Sequence, residues 1–177
     1  MKVVKYFREL AEYNNWADSV IWKSVLANTK SKENEKIKSL LFHLHETQRA
    51  FYYLWIQEPL DLSKLGKILS DVNEIAQMGE YVDAGALKFV RELKSERLEE
   101  IIKIPWDVYM EKYLGKKPGA ATLADTILQA INHSVYHRAQ VNKALREMDV
   151  DPPMLDYIAW VWLEKPEADW SSVRSNK

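Results

Sequence analysis

The chain has 177 residues, 47% of them apolar and 29% charged, with a net charge of −1. That is enough for one compact domain with its own core and short for two. The near-neutral balance gives no general affinity for nucleic acid or an anionic membrane, and the absence of cysteine excludes disulfides, thiolate metal sites and a cysteine nucleophile.

No stretch approaches the ~20 apolar residues of a membrane span. The first residues, Met1 to Glu9, carry charges every few positions and lack an apolar signal core. A cytoplasmic protein is the expectation. The lysines are interleaved with Glu and Asp and read as a solvated surface.

A first helix is expected over residues 3–28, where Val4, Phe7, Leu10, Ala11, Asn14, Ala17, Ile21 and Val25 recur at three- and four-residue steps. Asn28-Thr29-Lys30-Ser31 breaks that pattern. Ser31 and Asn34 offer cap chemistry for a second helix. It runs to about Gln57 on a stripe of Ile37, Leu40, Leu41, Leu44, Phe51, Leu54 and Trp55, with Pro59 just past its end. Residues 59–70 read as a crossing loop. A third helix starts at Ser70-Asp71 and ends in the mid-90s, with Gly79 and Gly85 weakening its first half. Ser95 to Leu98 starts a short turn.

From Ile101 to Lys117 the β-formers Ile102, Ile104, Trp106, Val108, Tyr109 and Tyr113 predict a short hairpin or extended loop. Thr122, with Asp125 at the third position, caps a last long helix reaching Met148. Asp151-Pro152-Pro153 stops it. Residues 154–163 should pack back on the bundle, and the last dozen should fray. These elements predict an all-α fold: a four-helix bundle with a long crossover between its second and third helices. One domain is expected over residues 1–165, with 166–177 as a tail.

Four histidines carry the chemistry. His133 and His137 lie four residues apart on the last long helix, which stacks them on one face because each residue turns about 100°. Two imidazoles so placed can reach one metal ion, and a third ligand from a facing helix would leave room for water. His43 and His45 on the second helix are the candidates for that ligand. They lie about 200° apart around the helix, and the apolar stripe is centred slightly nearer His45, so periodicity leaves the choice open. The zinc-protease signature is absent, since Ser134 and not Glu follows His133. No Gly-rich phosphate loop, nucleophile elbow or DNA-reading motif is present.

Four segments resemble the DinB/YfiT-like superfamily of metalloenzymes, in the right order and over nearly the whole chain. They are Tyr13-Asn14-Asn15-Trp16-Ala17, His43-Leu44-His45-Glu46-Thr47-Gln48-Arg49, His133-Ser134-Val135-Tyr136-His137-Arg138-Ala139-Gln140, and Asp151-Pro152-Pro153-Met154-Leu155-Asp156-Tyr157. The resemblance implies a four-helix bundle with a long crossover, often a homodimer. It also implies a divalent ion, nickel or zinc, held by three histidines. Alignment of the Thr-Gln-Arg run selects His43 over His45, beside His133 and His137. Tyr136 and Ala139 depart from the family pattern, where a further His and a Gly are common; neither change removes a proposed ligand.

Three neutral imidazoles would leave an ion its full charge and an open position, able to activate water or bind a thiol as thiolate. The expected function is therefore a metal-dependent hydrolase or a thiol S-transferase using a low-molecular-weight thiol. The alternative is a non-catalytic metal- or ligand-binding helical dimer. No general base stands out. Glu46 is a candidate, although a surface glutamate is the simpler reading. Gln140 reads as an outer hydrogen-bonding partner of the site or of the core. Trp16, Trp22, Tyr52, Tyr53 and Trp55 read as core before they read as pocket. Trp160 and Trp162 suit a dimer seam or the docking of the last segment.

Overall fold

The computed structural model describes residues 2–61 and 71–175. Four long helices dominate: α1 (Lys2–Leu26), α3 (Glu35–Trp55), α4 (Val72–Glu92) and α6 (Leu123–Arg146). A short α2 (Thr29–Glu33) fills the break after α1. Asn28 caps α2, and Asn34 caps α3 by accepting a hydrogen bond from the Ile37 amide. Ser31 does not cap α3. Its buried hydroxyl donates to the carbonyls of Val25 and Asn28 and ties the turn to the end of α1.

Two apolar clusters fix the sense of the helices. One gathers Ile21, Trp22 and Val25 from the second half of α1, Ile37 and Leu41 from the start of α3, Val72, Ile75 and Ala76 from the start of α4, and Val141 and Leu145 from the end of α6. The other gathers Val4 and Phe7, Phe51 and Trp55, Val90, and Leu123 and Ile127. Helices α1 and α6 therefore run one way, and α3 and α4 the other. Two successive helices with the same sense need a connection that returns along the bundle, ~30 Å for a helix of this length. That is why a long link separates them. Most of the expected crossing loop, residues 62–70, lies outside the described residues, as does Ser70. Asp71 caps α4 through the Asn73 amide.

Helix α4 runs unbroken through Gly79 and Gly85. Both serve packing. A Cβ at Gly79 would lie 2.5 Å from Nε2 of His45, and one at Gly85 would lie 2.5 Å from the Tyr52 ring. The bare backbone lets α4 close onto α3.

The hairpin expected over Ile101 to Lys117 does not close within that segment, and two residues at its start pair instead with two beyond its end. β1 (Ile101–Ile102) pairs antiparallel with β2 (Ala121–Thr122). The segment between them holds a 3₁₀ turn at Asp107–Tyr109 and α5 (Glu111–Leu114), closed by Gly115 at φ +67. Another 3₁₀ turn, Ser95–Glu99, buries Leu98 after α4. Thr122 and Asp125 form the reciprocal cap of α6.

Past the proline stop, α7 (Tyr157–Trp162) buries Ala159 and Trp160, while Trp162 remains exposed. The fray expected after it is not seen over residues 166–174. Glu164 and Lys165 adopt left-handed backbone angles and reverse the chain. Then α8 (Ser171–Arg174) docks against α1 and α4 with Trp170 and Val173 buried. Among the described residues, no helix is long and apolar enough to cross a membrane.

Candidate metal centre

Helices α3 and α6 pack antiparallel, so positions near residue 43 meet positions near residues 133–137. Three contacts set that register. Trp55 donates to Thr126, and Gln48 donates to Ser134. Further along, Lys36 pairs with Glu147. The result brings His43, His133 and His137 together, with one ligand nitrogen from each inside a span of 4.8 Å. The His43 ring stands edge-on to both others, at centroid distances of 5.0 and 4.8 Å. The helical pair is closer still, with Nε2 of His133 and Nε2 of His137 3.1 Å apart.

The donor set fits a divalent ion. Two nitrogens bound to one ion at ~2.0–2.1 Å lie ~2.8–3.4 Å apart between octahedral and tetrahedral angles, and the His133–His137 separation falls in that range. Both rings are held neutral, as ligands must be. Burial, together with His137 and His43, pushes His133 down to about 4. Burial and His43 also lower His137, with the Gln140 amide acting in the opposite direction. Nδ1 of each of these two rings is buried without a hydrogen bond. His43 is exposed, His133 intermediate and His137 buried, so the cluster opens to solvent on the His43 side.

His45 is elsewhere. It is fully buried, accepts from the Trp22 indole at 2.7 Å through Nε2, and contacts the Gln48 amide oxygen at 2.6 Å through Nδ1. Burial lowers its pKa. The lean of the apolar stripe toward His45 was a true reading of the core, and its place in the core takes His45 away from the cluster. Glu46 is not a surface residue as expected: it is 9% exposed and pairs with Arg49 at 3.7 Å.

Beneath the histidines lies a polar layer that helical periodicity did not single out. Arg138, the residue after His137, is buried and donates to Asp18 at 2.6 Å and to Asn14 at 2.8 Å. Gln48 donates to Asp18 as well as to Ser134, the residue after His133. Asp83 from α4 meets Asp18, and burial and that carboxylate raise its pKa well above the ordinary value. The layer links all four long helices directly under the ligand pair. A trace of it was visible in the sequence: Asn14 stands on the apolar row of α1, and Asp18 follows it by four. Of the aromatic residues expected in the core, Trp16, Trp22 and Trp55 are buried, whereas Tyr52 and Tyr53 are only half-buried.

The DinB family model matches residues 1–169. The chain belongs to the DinB family. None of the curated proteins matches it. Membership and geometry are both compatible with a metal-binding protein: the segments that carry the resemblance contribute His43, His133 and His137 to one cluster.

Proposed function

We propose that this DinB-family bundle is a metal-dependent enzyme whose His43, His133 and His137 hold one divalent ion. The observation that carries the reading is the convergence of three imidazole nitrogens within 4.8 Å on the outer seam of α3 and α6. Nickel or zinc suits an all-imidazole set, since imidazole ligands favour both. When bound there, such an ion would act as a Lewis acid that lowers the pKa of a coordinated water or thiol.

The chain's own part is to hold the His133 and His137 rings neutral and all three rings in register. The Gln48–Ser134 bond and the Arg138–Asp18 pair lock α6 against α3 and α1 on the side opposite the opening. The exposed edge at His43 leaves the cluster reachable by a small molecule. Hydrolysis of a small substrate and transfer of a low-molecular-weight thiol are the two reactions this arrangement supports. A homodimer, working in the cytoplasm, is the assembly in which we place it.

Metal analysis of the untreated protein together with an anomalous-scattering map tests the site. Stoichiometric nickel or zinc on the three histidines is expected. A His137→Ala variant with undiminished metal content overturns it. Panels of esters, amides and low-molecular-weight thiols test the reaction. Consumption of none of them overturns the enzyme reading and leaves a metal-binding bundle.

A further inference from the structure

The segment between β1 and β2 is held at its base and bare at its tip. At the base, Ile102, Ile104 and Trp106 pack on the second apolar cluster, with the Trp106 ring 5.4 Å from that of Phe51. The β1–β2 pairing and the Leu123 amide, which donates to the Glu100 carbonyl, tie its ends. Beyond Trp106 the chain bonds to itself. The Met110 amide donates to the Asp107 carbonyl, and the Gly115 amide to that of Glu111. Every residue from Val108 to Lys117 is exposed. Among them Val108, Tyr109, Met110, Tyr113 and Leu114 are 41–71% exposed. A continuous run of large apolar side chains in water marks a surface that meets a partner.

The charges around the tip select that partner. Lys103, Lys112, Lys116 and Lys117 are exposed and outnumber Asp107 and Glu111. The whole-chain balance of −1 averages out this local excess. Lys112 Nζ stands 4.7 Å from the centre of the Tyr113 ring, so cation and aromatic face present together. No arginine occurs between Ile101 and Thr122, whereas protein interfaces are enriched in arginine and poor in lysine. A second copy meeting tip to tip would set lysines against lysines. An anionic bilayer suits the same set. Lysine stems lie along apolar surface while their ammonium groups stay at the headgroups. Tyrosine rings settle at headgroup level.

We propose that the tip from Val108 to Lys117 docks the protein on an anionic lipid bilayer. Tyr109, Met110, Tyr113 and Leu114 enter the headgroup boundary, and Lys112, Lys116 and Lys117 meet the lipid phosphates and carboxylates. The contact is shallow and reversible, because a short apolar tip with a few lysines is an interfacial anchor and not a span.

Flotation of the full chain with vesicles of phosphatidylcholine, alone or mixed with phosphatidylserine, tests this. Binding to the mixed vesicles at low salt, lost as salt rises, is expected, with little binding to phosphatidylcholine alone. Each lysine near an anionic surface is worth about fivefold in affinity, so replacing Lys112, Lys116 and Lys117 by Gln should weaken binding about 100-fold. Tyr113→Ser with Leu114→Ser should weaken it about tenfold or more, through lost apolar burial. Both variants should melt with wild type, since the side chains are exposed. The chain has no cysteine, so Leu114→Cys carries a single fluorophore whose emission should shift to the blue on mixed vesicles. Absence of binding at low salt overturns the proposal, as does equal binding to both vesicle types or an unshifted fluorophore. A dimer that Tyr113→Ser with Leu114→Ser dissociates also overturns it, and makes a second copy the occupant of the tip.

Discussion

Gly79 on α4 faces the imidazole of His45 on α3 so closely that a Cβ would lie 2.5 Å from Nε2. That atom already accepts the Trp22 indole at 2.7 Å. The ring is pinned from both sides and has no room to yield. Gly79→Ala should therefore destabilise the fold, although alanine gains ~1 kcal/mol in a helix. Overpacking typically costs ~1–3 kcal/mol, so a net loss of up to about 2 kcal/mol is expected. Urea unfolding measures it. In a His45→Ala background the same substitution should become neutral or stabilising, because the new methyl enters vacated space. A Gly79→Ala protein more stable than wild type by the full helix gain of ~1 kcal/mol would refute the close packing.

The two second-helix histidines should separate by phenotype. His43→Ala should weaken zinc and nickel binding by more than the ~10–100-fold that loss of an outer hydrogen bond costs, with little change in stability, because its side chain is exposed. His45→Ala should do the reverse. It removes a fully buried ring and orphans the Trp22 N–H and the Gln48 oxygen, each a loss of ~1–3 kcal/mol. Chelator competition on folded protein, with unfolding curves alongside, decides it. Equal loss of affinity in the two variants contradicts the assignment.

These two pairs show what the sequence could and could not disclose. Periodicity placed the four long helices and the apolar rows, because the 3.6-residue repeat is local. It placed His45 on the core side correctly, but it cannot tell a buried hydrogen-bonding histidine from a ligand. The His43 choice came from the resemblance, and the antiparallel register of α3 and α6 gives it a physical basis. Gly79 looked like a weak point in a helix because its partner, His45, lies 34 positions away in the chain. Asp83 was unreadable for the same reason: its carboxyl group matters only once Asp18 and Arg138 converge on it. The docking of Trp170 depends on two left-handed residues, Glu164 and Lys165, whose types give no hint of a reversal.

Asp83 gives the fold a pH dependence. It faces Asp18 and Arg138, and its pKa is raised well above the ordinary value by burial and by the Asp18 carboxylate. The unfolded chain releases that proton near pH ~3.9, whereas the folded chain holds it to higher pH. Across that window the folded state binds more protons, so stability falls as pH rises. The contribution is fully present below about pH 4 and is lost as pH climbs through the raised pKa. Asp83→Asn keeps a donor toward Asp18 and has no proton to lose. Its unfolding midpoint should gain on wild type steadily from about pH 4 upward. Asp18→Asn should behave differently, since it strips the buried Arg138 guanidinium of its charge partner at a cost of ~3–5 kcal/mol. A constant difference between Asp83→Asn and wild type over that range would contradict the shared proton.

The C-terminal segment should act as part of the core. The Trp170 indole donates to Asn15 at 2.9 Å, the Asp169 amide donates to Ser19 at 3.2 Å, and Val173 is 2% exposed. Trp170 packs in the same cluster as Trp16 and Trp22. At the surface, Arg174 reaches Glu80 at 2.7 Å, an exposed pair that adds little. Replacing a buried tryptophan by alanine costs ~3–5 kcal/mol, and for a chain of this size ~1 kcal/mol lowers the melting temperature by ~2–4 °C. Trp170→Ala should therefore melt about 10 °C below wild type. A chain ending at Lys165 should fall at least as far, whereas Arg174→Ala should change little. The cluster of His43, His133 and His137 lies on the α3–α6 seam, while the segment covers α1 and α4. Metal affinity of the folded Trp170→Ala protein should thus match wild type. A truncated chain as stable as the full one would show that the segment rests on the bundle without supporting it.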